Sequence, residues 1–227
     1  MAQVAERGLV TVDGLVSRAA VRAFARRIMA LTPHPDSDRD GLTTIQNIGA
    51  PSRQPGMAGL GTGELVAHTE RSSIPRPPQL MLLVCLRPAA SGGEVRLTDG
   101  RAVTEHLAAL APEALEAMAL RGTAYYGDGG GHPSQVFTPG SNGRTLLRFR
   151  QDELSRFSPL VDRYLPALRE AIAVHQQTAR LTAGQGYLLD NTRFLHARTA
   201  FTGDRLCLRA LGEPLTPAPA GIPALRS

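Results

Sequence analysis

His68-Thr69-Glu70 sets an imidazole and a carboxylate two residues apart. On an extended strand that spacing puts both side chains on one face, within reach of a single ion. A third donor must come from elsewhere in the chain. His196, at the end of the run Leu188-Leu-Asp-Asn-Thr-Arg-Phe-Leu-His196, is the natural candidate, because a strand near the C-terminus can lie beside the first. Two histidines and one carboxylate on three facial positions form the donor set used by non-haem Fe(II) oxygenases. The pair alone is a weak signal, since six histidines and 20 acids in 227 residues give about half such a spacing by chance. A second instance, His34-Pro35-Asp36, lies in a polar, turn-rich stretch where no rigid strand would hold it, and it is not read as a metal site. His106 and His175 fall in helical patterns and read as core, surface or helix-end residues, and His132 in a glycine-rich loop reads as a surface residue.

The elements that would position these donors are legible in outline. The run Leu80 to Leu86 is almost wholly apolar, as in a strand buried on both faces, and Gly92-Gly93 turns the chain into a further strand from Glu94 to Thr98. Short strands are also expected at Leu9 to Val12, Leu42 to Ile48, Gly186 to Leu189, Arg193 to His196 and Arg205 to Leu211. Helical periodicity runs from about Arg18 to Leu31 behind a Ser17 cap, from Val103 to Leu120 with a kink or break at Pro112, and from Pro159 to Thr178. Gly49 to Gly63 and Tyr125 to Pro133 are irregular and are the candidate lid and substrate-contact loops. Strands at both ends with helices between them predict a mainly β architecture with flanking helices, an antiparallel barrel or sandwich rather than a doubly wound sheet. One domain is expected over residues 1–212, followed by a proline-rich extended tail over 213–227.

Composition narrows the chemistry. All 25 basic residues are arginine, so mechanisms that need a primary amine are excluded, among them Schiff-base catalysis and the lysine-bearing phosphate loop. The net charge of +5 permits an anionic partner, but the arginines are scattered and nucleic-acid binding is not expected. Cys85 and Cys207 sit in apolar strand-like runs and read as small core residues rather than a disulfide or metal pair. No apolar run approaches the roughly 18 residues of a membrane span, and the first residues lack a leader pattern, so a cytoplasmic protein is expected.

The ordered set of motifs is more specific than any one of them. Glu64-Leu-Val-Ala-His68-Thr-Glu70, Pro77-Pro-Gln-Leu-Met-Leu-Leu-Val-Cys-Leu-Arg87, Gly92-Gly-Glu-Val-Arg-Leu-Thr-Asp-Gly100, Asp190-Asn-Thr-Arg-Phe-Leu-His-Ala-Arg198 and Gly203-Asp-Arg-Leu-Cys-Leu-Arg209 resemble the taurine dioxygenase and clavaminate synthase-like Fe(II)/2-oxoglutarate oxygenases. The resemblance covers about Glu64 to Leu211. It implies a double-stranded β-helix, the cupin-like jelly roll, with His68, Glu70 and His196 as iron ligands and catalytic centre, and Fe(II), 2-oxoglutarate and O2 as cofactor and cosubstrates. It further implies that Arg205 binds the distal carboxylate of 2-oxoglutarate, a task a rigid guanidinium fork suits, and that Arg198 helps orient the cosubstrate. Arg209, four residues along the same strand and so on the same face, matches the arginine that contacts the substrate carboxylate in amino-acid-hydroxylating relatives. Gln46 and Asp128 are further candidate substrate contacts.

Glutamate as the second ligand is similar to the branch acting on free amino acids, and a retained carboxylate implies hydroxylation, or desaturation or epoxidation, rather than halogenation. The implied function is a hydroxylase of a free amino acid or an amino-acid-derived natural-product intermediate, releasing CO2 and succinate, with a small substrate carrying a carboxylate. Val95 departs from the Thr or Ser common just after Gly-Gly-x in the family. That departure keeps a second reading open, a non-catalytic or differently metallated jelly-roll binding protein, and the +5 charge keeps a third, an oxygenase acting on nucleic acid or protein.

Overall fold

Most of the sheet strands fall where the apolar pattern puts them. A computed structural model describes residues 1–48 and 58–224, and within it ten strands build two facing sheets: β1 (Leu9–Val12), β2 (Met29–Leu31), β3 (Thr43–Gln46), β4 (Leu65–His68), β5 (Leu80–Arg87), β6 (Val95–Asp99), β7 (Gln177–Ala179), β8 (Gly186–Asp190), β9 (Phe194–Arg198) and β10 (Leu206–Pro214). The larger sheet runs β1-β8-β5-β10-β2, with β3 also paired to β10; the smaller runs β7-β6-β9-β4; every pairing is antiparallel. This is the jelly-roll sandwich the motif order implies.

Burial follows the two-residue period of the strands. Met81, Leu83 and Cys85 of β5 face the interior between the sheets, with Tyr187, Leu189, Phe194, Cys207 and Leu211. Leu80, Leu82 and Val84, on the opposite face of β5, pack with Val21 and Ala25 of helix α2 (Arg18–Ile28), an element that follows α1 (Ala2–Arg7). A strand covered on both faces has no polar position to spare, which is why its sequence is an unbroken apolar run. Behind the smaller sheet, Leu195 and Ala197 of β9 pack against α3 (Gly100–Leu110), α4 (Pro112–Ala119) and, past the short α5 (Pro159–Asp162), α6 (Leu165–Val174). Their neighbours Phe194, His196 and Arg198 therefore point the other way, into the interior.

Three expectations need adjustment. The helix after Ser17 stops at Ile28, and Met29–Leu31 instead pairs with Gly212–Pro214 as an edge strand. The helical pattern over 159–178 resolves into α5 and α6, and its last residues, Gln177–Ala179, join the smaller sheet. The segment expected as an extended tail is docked: Glu213 and Pro214 belong to β10, and Ile222 is 1% exposed in the core behind the smaller sheet. Arg144 donates to the carbonyls of Ala220 and Gly221, and the Gly221 amide donates to Asp190 Oδ2 (2.8 Å). A proline-rich composition left the backbone extended but not unpartnered.

The Gly92-Gly93 turn is a close approach. Gly92 has φ +67° and a Cβ there would lie 2.0 Å from the Ala200 carbonyl oxygen, while a Cβ on Gly93 would sit 3.2 Å from Arg205 Cδ. Glycine is required at the first position by both the backbone conformation and the space. Among the described residues no helix is long and apolar enough to cross a membrane.

Candidate metal centre

His68 ends β4 and faces His196 of β9 as its register partner, with the ring centroids 4.2 Å apart. Glu70 lies just past β4, buried, with Oε1 3.6 Å from His68 Nε2 and 3.3 Å from His196 Nε2. One ligand atom from each of the three residues fits within a 4.8 Å span. The intervening Thr69 turns the opposite way, and its hydroxyl accepts from the Phe149 amide (3.1 Å) while its own amide donates to the Phe149 carbonyl. The alternation that aims two side chains at one point also fixes the residue between them.

The donors are prepared for a cation. His68 Nδ1 lies 2.8 Å from the Val66 carbonyl oxygen, to which a protonated Nδ1 can donate, and its Nε2 faces Glu70. Burial pushes His196 down to about 4, with the neighbouring His68 adding to the effect against the attraction of Glu70, so its ring is neutral at physiological pH. Burial opposes the Glu70 carboxylate, but Arg209 and the two imidazoles outweigh it and hold Glu70 well below the usual carboxylate range. Two imidazoles and an ionised carboxylate on one side of a cavity suit a first-row divalent ion with further positions open. The residues present fit the iron that the motifs imply.

The outer contacts hold this geometry. Asn191 Oδ1 accepts from the Glu70 amide (2.7 Å), and its Nδ2 donates to the carbonyls of Glu70 (3.1 Å) and Pro78 (2.9 Å). Beside it, Asp190 accepts from the Thr192 amide and hydroxyl, and Arg193 makes a two-pronged pair with Asp99, the cap of α3. The Asp190-to-Arg193 turn is thus a bracket joining the two sheets, α3 and Glu70.

The family model for the taurine catabolism dioxygenase TauD, TfdA family matches residues 1–211. The chain belongs to this family. It is a non-haem Fe(II)/2-oxoglutarate-dependent dioxygenase. Among solved structures, an asparagine oxygenase in complex with Fe(II), 2S,3S-3-hydroxyasparagine and succinate is 18% identical with a TM-score of 0.69, covering 93% of this chain and 77% of that one. The non-haem iron oxygenase OrfP, in complex with Fe, succinate and (3S)-hydroxy-L-Arg, is 14% identical with a TM-score of 0.71, covering 93% and 78%. At such identities the likeness is one of fold.

In this dioxygenase the interior face of β10 carries a row of side chains. Arg209 Nη1 donates to Glu70 Oε1 (2.8 Å), so it stands against the metal group. Cys207 follows, buried and opposite Cys85 in register; both are free thiols. The two cysteines are core residues as expected, though adjacent ones. Arg205, just before the strand, is 6% exposed, and among the described residues its guanidinium has no hydrogen bond or ion pair, only the Phe201 ring 5.8 Å away. A buried guanidinium without a counter-charge is costly unless an anion joins it.

Arg198 is placed otherwise than expected. Its guanidinium donates to the carbonyls of Gly59, Gly61 and Gly63 and lies over Phe201, so the glycine loop takes most of its donors rather than a cosubstrate. Its Nε remains buried and without a partner, and burial, reinforced by nearby Arg205, pushes its pKa down to about 10. Val95 sits in the interior as the register partner of Arg198.

Gln46 and Asp128 are not brought to the metal group. Ile45 points inward, so alternation turns Gln46 outward, where it is exposed. Asp128 is exposed in a turn that closes on itself, with the Tyr125 hydroxyl donating to its carbonyl and accepting from the Gly131 amide. The expected lid falls partly outside the described residues, at 49–57. What lines the cavity of about 330 Å³ beside the metal group includes instead His34, Asp36, Arg71, Arg150 and Asp152. His34-Pro35-Asp36 is a polar loop, as its sequence predicts, and it lies against the site. Arg71, Arg150 and Asp152 carried no motif of their own.

Proposed function

We propose that this dioxygenase hydroxylates a free amino acid or an amino-acid-derived natural-product intermediate, with CO2 and succinate as coproducts. The observation that carries the reading is the alignment along β10: Arg209 on Glu70 at the metal group, and Arg205 buried without a counter-ion four residues before it. His68, Glu70 and His196 would hold Fe(II), which supplies oxygen activation and the oxidation of a C–H bond once 2-oxoglutarate is present. Arg205 offers its free fork to the distal carboxylate of 2-oxoglutarate, and both it and Arg198 lie against the Phe201 ring. Arg209 neutralises Glu70 here and is the cation closest to the metal ligands for a substrate carboxylate. Arg198 holds the glycine loop that leads into β4 and so keeps His68 in register with His196.

The asparagine oxygenase and OrfP complexes, each with a hydroxylated amino acid and succinate, support the substrate class. Burial of Glu70, His196 and Arg205 within the sandwich favours a small molecule over a polymer. The test is succinate release under air with Fe(II) and 2-oxoglutarate across a panel of free L-amino acids, with products read by mass spectrometry. The expected result is substrate-dependent succinate together with a product heavier by one oxygen. Succinate release that no amino acid or amino-acid derivative increases would contradict the substrate class.

A further inference from the structure

Arg71 follows the metal ligand Glu70 directly and lines the cavity beside it. Its φ of +55° makes it the one positive-φ residue other than glycine among the described residues. Side chains other than Gly, Asn and Asp rarely adopt that conformation, and such strain collects at ligand sites. A position where glycine would be cheapest instead carries the longest cationic side chain.

Of the three arginines around the cavity, Arg71 alone is not engaged with a carboxylate among the described residues. Glu70 is met by Arg209 at 2.8 Å, Asp152 accepts from Arg150 Nε at 2.6 Å, and Asp36 lies 3.4 Å from His34 Nδ1. Arg71 is half-buried and makes no side-chain hydrogen bond or ion pair among the described residues. His34 stands within electrostatic reach of both Arg71 and Arg209, and its Nδ1 accepts from the Asp36 amide at 3.1 Å. With Nδ1 as acceptor, the neutral ring carries its proton on Nε2 and is a further donor at the same wall.

Resting on the proposed amino-acid oxygenase reading, we infer that Arg71, with His34, binds a second carboxylate of the substrate, so that the preferred substrate class is an acidic amino acid or a derivative with a second anionic group. Arg209 serves the first carboxylate and Arg71 the second; of the acids on the remaining walls, Glu70 and Asp152 are each paired with an arginine, and Asp36 is exposed to solvent.

The experiment uses the full chain loaded anaerobically with Fe(II) and 2-oxoglutarate, titrated with L-aspartate, L-asparagine, L-glutamate and L-glutamine by calorimetry. At least one acid should bind about tenfold or more tightly than its amide, the scale of one charge-assisted hydrogen-bonded pair. Arg71→Gln should bring acid and amide within about twofold. Arg71→Asn, which suits the left-handed backbone, should do the same, while Arg71→Lys keeps part of the preference. Acids that bind no better than amides, or not at all, overturn the inference, as does a preference that survives both neutral variants. The visible iron–cosubstrate band, recorded before each titration, separates the failures: its absence breaks the metal-site reading itself, whereas its presence without an acid preference breaks only the role of Arg71.

Discussion

Glu70 is held by a partner that its own motif does not contain. Asn191 satisfies the amide and carbonyl of Glu70, so Asn191→Ala strands buried polar groups at about 1–3 kcal/mol each. The expected outcome is a lower melting temperature and Fe(II) affinity reduced about 10- to 100-fold, read by metal titration, because the ligand carboxylate loses its orientation. Arg205→Ala should weaken 2-oxoglutarate binding about 10- to 150-fold, the value of a charge-assisted pair of about 1.5–3 kcal/mol, while Fe(II) alone binds as before. Unchanged 2-oxoglutarate affinity would remove Arg205 from the cosubstrate site. His68, Glu70 and His196 were legible because strand alternation and motif order constrain them locally. Asn191, Arg71 and Asp152 were not, since their roles depend on contacts across long stretches of chain, such as the 121 residues between Asn191 and Glu70.

At the scale of elements, the loops and edges are tied by arginines. Arg198 collects three glycine carbonyls, and Arg198→Met should raise hydrogen-exchange rates over residues 58–64 while leaving the α6 amides protected. Arg18 of α2 bridges Asp38, Asp40 and Thr44, joining that helix to β3. Asp40 is lowered to about 2, first by its hydrogen bonds with Arg18. A carboxyl whose folded value is depressed contributes stability above its ordinary value of 3.8 and loses it as pH falls toward 2. The pair is partly exposed, so its contribution is below about 1 kcal/mol and screened by salt. Melting curves of wild type and Arg18→Ala should therefore converge between about pH 4 and pH 2, and with added salt at neutral pH. Strand positions were readable from alternation; the conversion of Met29–Leu31 and Gln177–Ala179 from helix to edge strand was not, because a tertiary partner overrode a continuous helical pattern.

For the whole molecule, the two-sheet sandwich with helices behind each face is the frame that brings a ligand pair near residue 68 to a third ligand 128 positions later. The C-terminal segment closes that frame. Ile222 fills the core behind the smaller sheet, and Ile222→Ala should cost about 2–4 kcal/mol in denaturant unfolding. A free tail would cost nothing on the same substitution. The central claim is that His68, Glu70 and His196 hold Fe(II) with 2-oxoglutarate bound beside them. It is tested most directly by adding Fe(II) and 2-oxoglutarate to the protein without oxygen and recording the visible spectrum. The account predicts a weak charge-transfer band that is lost in His68→Ala; no band in the intact protein, or an undiminished one in His68→Ala, would contradict it.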